Sequence, residues 1–167
     1  MSTRAERRWL NAVGFAACVA LMCYALYTQY GPLQLEPCPL CIFQRVAMIA
    51  LGVVFAVAAS HAPRGAGARL YAVLGGLVAA AGLGISSWHV HVQNLPPDQV
   101  PTCGPGLDYM WEAFPFLDML KMVFTGSGEC HTINWSFLGL SMPFWVAIWF
   151  VALGVGIVTV NWARLAR

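Results

Sequence analysis

The chain of 167 residues is long enough for one domain, and its composition is unusually apolar. Hydrophobic residues make up 59% of the sequence and charged residues only 10%, whereas soluble domains carry about 25% charged residues. This excludes a disordered chain and disfavours a soluble globular domain. The nine Lys and Arg nearly balance the seven Asp and Glu, and no basic run exceeds two residues, which argues against nucleic-acid binding.

Four stretches without Asp, Glu, Lys or Arg are each long enough to cross a bilayer as a helix, which takes about 20 apolar residues. The chain is therefore predicted to be an all-α membrane protein, a four-transmembrane-helix bundle that forms a single integral membrane domain over residues 1–167. The predicted spans cover residues 10–28, 42–60, 70–88 and 143–162.

The first span follows a basic N-terminus that contains Arg4, Arg7 and Arg8. Its apolar run is longer than the core of a secretory signal peptide, which has about 7–15 residues, and three further spans follow. We therefore predict a retained helix and not a cleaved signal. Cys18 and Cys23 lie in this span, five residues apart, so they point in different directions and cannot bridge each other. We expect both to be small buried apolar residues.

The loop between the first two spans, residues 29–41, ends in Cys38 and Cys41, which have the C-x-x-C spacing of a redox-active dithiol. Cys41 lies where the second helix is predicted to begin, and backbone N–H groups at a helix N-terminus stabilise a thiolate. Arg45 follows one helical turn later on the same face. A cation at that depth is costly, which makes Arg45 a functional candidate; the alternative is an arginine that extends to the lipid headgroups.

The long segment between the third and fourth spans, residues 89–142, contains Cys103 and Cys130 in glycine-rich, turn-forming surroundings. Between them, residues 114–124 are apolar with two charges, and we predict a short amphipathic helix along the membrane surface. The two cysteines form either a passive disulfide or a second exchanging pair. A neighbouring C-x-x-C favours exchange, because exchange needs a thiolate and a disulfide within reach.

Metal binding is disfavoured by the spacing of the candidate ligands. A structural zinc site usually presents two close ligand pairs, and only one close cysteine pair exists here. His89 and His91 end the third span, but residues two apart on a helix face different directions and make a poor shared metal site. We therefore expect no metal. Either histidine is placed to contact a membrane-embedded ligand, and we interpret His91 as an interfacial residue beside Trp88.

The distribution of charge predicts the orientation of the spans. Arginines concentrate in the N-terminus, the 61–69 turn and the C-terminal tail, and positively charged loops stay in the cytoplasm. The opposite side carries Lys121 and six of the seven acids, with Arg45 at the boundary. We therefore predict cytoplasmic termini and outward-facing loops at 29–41 and 89–142. In a bacterial cell that side is oxidising, so disulfides are permitted there.

Five motifs occur in order along the chain: CPLCIFQR at 38–45, HVHVQ at 89–93, CGPG at 103–106, GSGEC at 126–130 and WSFLGLSMPFW at 135–145. Together they resemble the disulfide bond formation protein B (DsbB) family of bacterial inner-membrane, quinone-linked thiol oxidases. The resemblance extends from the first span to the last. It implies a four-helix inner-membrane bundle that reoxidises a periplasmic, thioredoxin-like DsbA protein and reduces a membrane quinone, either ubiquinone or menaquinone.

The same resemblance implies a role for each loop cysteine. Cys103 matches the family's cysteine that forms the mixed disulfide with DsbA, and Cys130 matches its loop partner. Cys38 and Cys41 match the pair beside the quinone, with Cys41 touching the quinone ring and Cys38 exchanging with Cys130.

Two polar residues match the quinone site of the family. Arg45 matches its arginine, and His89, four residues before Gln93, is the better match to its histidine. Gln44 stands where some members have an acid, so no acid–base role is transferred to it.

Two other interpretations of the sequence remain open. A vitamin K epoxide reductase-like enzyme also combines a helical bundle with a C-x-x-C, although its active C-x-x-C normally comes late in the chain. A non-catalytic membrane protein with disulfide-stapled outer loops is the alternative from a different functional class.

Overall fold

The structure, a computed structural model, describes residues 4–63, 65–96, 98–99, 109, 112–125 and 128–162. Most of them belong to four long helices: α1 (Arg4–Tyr30), α2 (Pro39–His61), α3 (Ala66–Gln93) and α6 (Met142–Trp162). Two short helices and an antiparallel hairpin of two-residue strands lie between α3 and α6: α4 (Phe116–Thr125), α5 (Gly128–His131), β1 (Ser136–Phe137) and β2 (Leu140–Ser141).

The four long helices are, among the described residues, those long and apolar enough to cross a membrane. Apolar side chains such as Val46, Leu77 and Val155 are exposed on their outer faces. Polar side chains are instead buried between the helices: Asn11, Thr28, Gln44, Ser86, His89 and Asn161. An apolar exterior around partnered polar groups is what a bilayer favours. The all-α, four-helix membrane fold predicted from the sequence is confirmed.

The start of α2 determines where the C-x-x-C lies. Cys38 is the N-cap residue, with an extended backbone, and Pro39 occupies the first helical position. Proline suits that position because its fixed φ matches the helix and its missing N–H would have no helical partner. The helix therefore begins three residues before the predicted span at 42, and Cys41 belongs to its first turn.

The helices approach each other closely where glycine replaces a side chain. α3 packs mainly against α6, and α2 contacts both α1 and α3. A Cβ atom added at Gly82 of α3 would lie 2.3 Å from the ring of Phe150 on α6. At Gly75 it would lie 2.4 Å from the side chain of Ile157. Small residues at these positions let the backbones of α3 and α6 come together.

Polar contacts join the helices at the end of the bundle that contains the start of α1. The side chains of Asn11 on α1 and Asn161 on α6 exchange two buried hydrogen bonds of 3.0 and 3.3 Å. Interhelical bonds of this kind contribute about 0.6 kcal/mol on average in a membrane protein. The guanidinium of Arg7 donates to the carbonyl of Pro63 at 2.6 Å, which joins α1 to the turn between α2 and α3.

The helix α4 packs on the opposite end of the bundle. It begins at Phe116, two residues later than predicted from the sequence. Met119 and Val123 are buried, whereas the charged side chains of Asp118 and Lys121 are exposed, so the helix is amphipathic as expected. The indole N–H of Trp88 donates to the carbonyl of Phe124 at 2.8 Å and joins α4 to α3.

The two cysteines of α1 lie in different environments. Cys18 is buried and faces Gly52 of α2, whereas Cys23 is exposed. The expectation that both are buried is therefore wrong for Cys23. Five residues along a helix turn a side chain well away from its starting direction, so only one of the two faces the core.

Paired substitutions on α3 test the close approach of α3 and α6. Both Gly82→Ala and Gly84→Ala add one methyl group, but Gly82 faces the buried ring of Phe150 and Gly84 has open space around its position. Overpacking costs about 1–3 kcal/mol, so we expect Gly82→Ala to lower the midpoint of thermal unfolding in detergent. Gly84→Ala should keep or raise that midpoint. Equal midpoints for the two variants would contradict this packing.

Candidate active site

The C-x-x-C forms the first turn of α2 at the same end of the bundle as α4. The Sγ atoms of Cys38 and Cys41 are 3.3 Å apart, well beyond the roughly 2.05 Å of a disulfide, and both residues are thiols. Cys38 is buried, with 7% of its surface exposed, and Cys41 is half-buried. The two sulfurs therefore contact each other but lie in different surroundings.

A cavity of about 360 Å³ lies between α1, α2, the hairpin and the start of α6. The first turns of α2 contribute Cys41, Gln44 and Arg45 to its lining, and the loop before α2 contributes the carboxylate of Glu36. Aromatic rings from the hairpin region and α6 form much of the facing wall: Trp135, Phe137, Trp145 and Trp149. Small-molecule sites have volumes of about 300–1,000 Å³, so this cavity suits a flat, largely apolar molecule with a few polar atoms.

The side chain of Arg45 is held in this cavity by α1. Its guanidinium donates to Oε1 of Gln29 and, at 3.2 Å, to the carbonyl of Ala25. Among the described carboxylates, none lies within ion-pair distance of Arg45. The guanidinium and the carboxylate of Glu36 line the same cavity without forming an ion pair, and the hydrogen bonds of Arg45 to α1 hold its side chain at the cavity wall.

Cys38 and Cys41 also line a smaller cavity of about 70 Å³, together with His89. The ring of His89 is buried, with Nε2 3.7 Å from Sγ of Cys38 and Nδ1 4.0 Å from Sγ of Cys41. Its Nδ1 also lies 3.1 Å from Nε2 of Gln44. Gln44 lines the larger cavity and His89 does not, so His89 contacts a residue of the cavity wall but not the cavity itself.

The short helix α5 places Cys130 beside Cys38. Sγ of Cys38, a ring nitrogen of His89 and Sγ of Cys130 all lie within 4.8 Å of one another, and all three residues are buried. The ring of His131 lies with Nδ1 3.1 Å from the carbonyl of Val92, which holds α5 against the end of α3. Two thiols that are far apart in sequence are thus close enough for disulfide exchange.

Five of the six residues predicted for the site lie within the described part of the chain, and they gather at one end of the bundle: Cys38, Cys41, Arg45, His89 and Cys130. The sixth, Cys103, lies outside the described residues. The ring of His91 lies 5.1 Å from the ring of Trp88, consistent with its interpretation as a neighbour of that residue.

Three polar residues of the site were not predicted as such from the sequence. Gln29 is a polar residue near the end of an apolar span, and Glu36 precedes the C-x-x-C by two positions and lines both cavities. Gln44 lies three residues after Cys41, which places both on one helix face. The feature of the sequence that could have indicated these three residues is a polar side chain inside or beside an apolar segment.

Comparison with known proteins identifies the family. A family model described as Disulfide bond formation protein DsbB matches residues 7–160. The chain belongs to the DsbB family. A relative from Nitrosococcus oceani, named Disulfide bond formation protein B, is 49% identical over 152 residues, which cover 91% of this chain and 89% of the relative. Proteins of the same name from Methylococcus capsulatus and Hahella chejuensis are 51% and 45% identical, over 85% and 92% of this chain and 86% and 92% of the relatives.

Membership in the DsbB family confirms the resemblance found in the sequence. The chain is a multi-pass membrane protein of a disulfide-forming oxidoreductase family. The vitamin K epoxide reductase-like and non-catalytic interpretations are accordingly set aside.

The approach of Cys38 to Cys130 can be tested by oxidation. In a Cys41→Ser/Cys103→Ser protein, the thiol that competes for Cys38 and the thiol that competes for Cys130 are both removed. We then expect a mild oxidant to join Cys38 and Cys130 in a disulfide, since their sulfurs lie within 4.8 Å of each other. Mass spectrometry of proteolytic fragments identifies the linked peptides. The same protein with Cys130→Ser is the matched control and should give no linked peptide. Preferential linkage of either thiol to Cys23 would contradict the observed geometry.

Proposed function

We propose that this chain is a membrane thiol:quinone oxidoreductase that reoxidises a periplasmic DsbA-like dithiol protein. Electrons pass through two cysteine pairs to ubiquinone or menaquinone. One observation carries the proposal: the adjacent sulfurs of Cys38 and Cys41 are 3.3 Å apart, with Cys41 on the wall of an aromatic cavity and Cys38 beside Cys130. Such an arrangement connects a protein thiol on one side to a small-molecule site on the other.

The proposed exchange begins when a partner thiolate attacks Cys103 of a Cys103–Cys130 disulfide and Cys130 leaves as a thiolate. Cys130 then attacks Cys38 of a Cys38–Cys41 disulfide, and Cys41 leaves as a thiolate. The partner's second thiolate displaces Cys103, and Cys103 in turn displaces Cys38 from Cys130. The partner has then gained a disulfide, and Cys38 and Cys41 hold the two electrons.

The positions of Cys38, Cys130 and His89 support the central exchange step. Disulfide exchange requires the attacking and accepting sulfurs to be within reach, and those of Cys38 and Cys130 are. His89 lies beside Cys38, with its Nε2 within 3.7 Å of the sulfur that accepts the attack. Cys41 lies in the first turn of α2, where backbone N–H groups favour the thiolate that this step releases.

The 360 Å³ cavity is the proposed acceptor site. A quinone bound there would supply an acceptor for two electrons and two protons. The lining fits this group, because aromatic side chains would pack on its flat ring and N–H groups of Arg45 and Gln44 would donate to its carbonyl oxygens. Binding of the quinone by His89 stays a prediction, since the ring of His89 contacts Gln44 on the cavity wall and does not itself line the cavity.

The proposal includes a location and an orientation. We assign the chain, as one integral domain, to the bacterial inner membrane with both termini in the cytoplasm. The loops at 29–41 and 89–142 then face the periplasm, where disulfides are permitted. The concentration of arginine near the termini and in the 61–69 turn supports this orientation.

Quinone reduction by the purified protein tests the proposed function. With a reduced DsbA-like partner in excess, we expect quinone absorbance to fall, with one partner disulfide formed per quinone reduced. Cys130→Ser should abolish this turnover, whereas Cys23→Ser, which alters an exposed cysteine that lines neither cavity, should keep it. Partner oxidation without any loss of quinone would show that another acceptor is used.

Replacement of Arg45 tests the assignment of the acceptor site. Loss of one preorganised donor to a developing negative charge typically costs about 100-fold or more in rate, so we expect Arg45→Met to lower kcat/KM for quinone by about 100-fold. Arg45→Lys keeps the charge but loses the planar fork that contacts Gln29 and Ala25, so it should restore the rate only in part.

Two measurements on the Arg45→Met protein separate electron transfer from thiol exchange. Formation of the mixed disulfide with the partner should be nearly unchanged, because Cys130 lies beside Cys38 and His89 and does not line the cavity that contains Arg45. Arg69→Met, which alters an exposed arginine near the start of α3, is the matched control and should keep the wild-type rate of quinone reduction. Wild-type quinone kinetics in a folded Arg45→Met protein would remove Arg45 from the acceptor site.

A further inference from the structure

The cluster formed by Cys38, His89 and Cys130 has a second chemical capacity besides disulfide exchange. Two thiol sulfurs and one imidazole nitrogen converge within 4.8 Å of one another. Their exposed fractions are 7%, 2% and 1%, so all three are largely withdrawn from water. Thiolate and imidazole are the ligands that soft, closed-shell cations prefer, and three protein ligands suffice for a zinc-type site with one open position.

We propose that the reduced form of this protein binds one soft divalent cation of the Zn²⁺ and Cd²⁺ class through Cys38, His89 and Cys130. The oxidised form does not bind it, because disulfide sulfurs are not available as thiolate ligands. Binding breaks the S–H bonds of the ligating thiols, forms two metal–sulfur bonds and one metal–nitrogen bond, releases the thiol protons to solvent, and transfers no electron. The site is thus controlled by the redox state of the cysteines.

The distances suit this coordination. Tetrahedral zinc with Zn–S near 2.3 Å and Zn–N near 2.0–2.1 Å separates a sulfur ligand from a nitrogen ligand by about 3.6 Å. Sγ of Cys38 lies 3.7 Å from Nε2 of His89. The remaining separations, at most 4.8 Å, close to bonding geometry through small movements of Cys130 on the short helix α5.

Gln44 is not a proposed metal ligand, but its side chain contacts the ligand His89. A metal-bound imidazole usually donates its second N–H to a neighbouring acceptor, which fixes the ring orientation. Nδ1 of His89 lies 3.1 Å from the side-chain amide of Gln44. A half-turn of that amide presents its oxygen, which accepts the Nδ1–H proton of a ring that binds metal through Nε2.

The smaller cavity provides access for the ion and space for its fourth ligand. Cys38 and His89 line this cavity of about 70 Å³, which has room for a water molecule. The exposed residues Thr132, Ile133 and Asn134 line it as well, so it connects the cluster to the surface of the protein. A hydrated cation can therefore reach the ligands without crossing the apolar core.

Cadmium binding to the full-length protein tests the proposal directly. The experiment uses a Cys23→Ala/Cys103→Ala protein in detergent, kept reduced by a phosphine without oxygen, and follows the ultraviolet charge-transfer band between thiolate and Cd²⁺. We expect one Cd²⁺ per chain, displacement of that ion by Zn²⁺, and no band after oxidation of the remaining cysteines. A band of equal strength in the oxidised protein would overturn the proposal.

Three further substitutions in the same protein identify the ligands. His89→Ala and Cys130→Ser each remove one ligand and should weaken Cd²⁺ binding by about 100-fold or more, since loss of an outer hydrogen-bond partner alone costs about 10–100-fold. His91→Ala is the matched control, because its exposed ring contacts Trp88 and not the cluster, and it should bind Cd²⁺ normally. Unchanged affinity in either His89→Ala or Cys130→Ser would show that the ion is bound elsewhere.

The metal measurement does not depend on the proposed function. It uses neither quinone nor partner, so failure of quinone reduction leaves it intact, and failure of cadmium binding leaves the exchange scheme intact. Thermal unfolding without metal shows whether His89→Ala is folded, and Cys130→Ser decides the question if it is not. If the proposed function also holds, Zn²⁺ should slow turnover only when added to the reduced protein, and a chelator should restore it.

Discussion

The first turn of α2 is the constraint on which the rest of the site depends. Cys38 caps the helix with an extended backbone, Pro39 begins it, and Cys41 lies within the turn that follows. This change from extended to helical backbone brings the two sulfurs within 3.3 Å while their surroundings differ. Cys38 contacts the buried imidazole and the thiol of α5, whereas Cys41 also lines the large aromatic cavity.

The site also depends on polar side chains whose orientation is fixed by hydrogen bonds in an apolar environment. Arg45 is tied to α1 through Gln29 and Ala25, and His89 is tied to α2 through Gln44. These contacts join adjacent helices, so the orientation of each polar group is fixed by the packing of the bundle. In a water-poor site a fixed charge acts more strongly on its neighbours than it does in bulk water. The same close helix packing that stabilises the fold therefore also sets the electrostatics of the cavity.

The sequence predicts the local part of this site and not its long-range part. The positions of Cys41 and Arg45 on one face of a helix follow from a spacing of four residues, which any regular helix reproduces. The proximity of Cys130 to His89 depends on how the segment between α3 and α6 folds back, and residue spacing contains no such information. The resemblance to the DsbB family implies the roles of the cysteines. It did not supply Gln29, whose contact with Arg45 depends on the register between α1 and α2.

The separation of α1 and α6 affects how a molecule reaches the large cavity. The two helices are joined at one end by Asn11 and Asn161, and the cavity lies between them at the other. Tyr24 and Trp149 both line the cavity and are exposed on the outer surface of the bundle, which hydrocarbon chains cover in a bilayer. A molecule that passes between these side chains enters laterally, from within the leaflet. A long-tailed molecule that uses this route arrives by two-dimensional diffusion, so its mole fraction in the lipid governs its supply more than its concentration in the surrounding water.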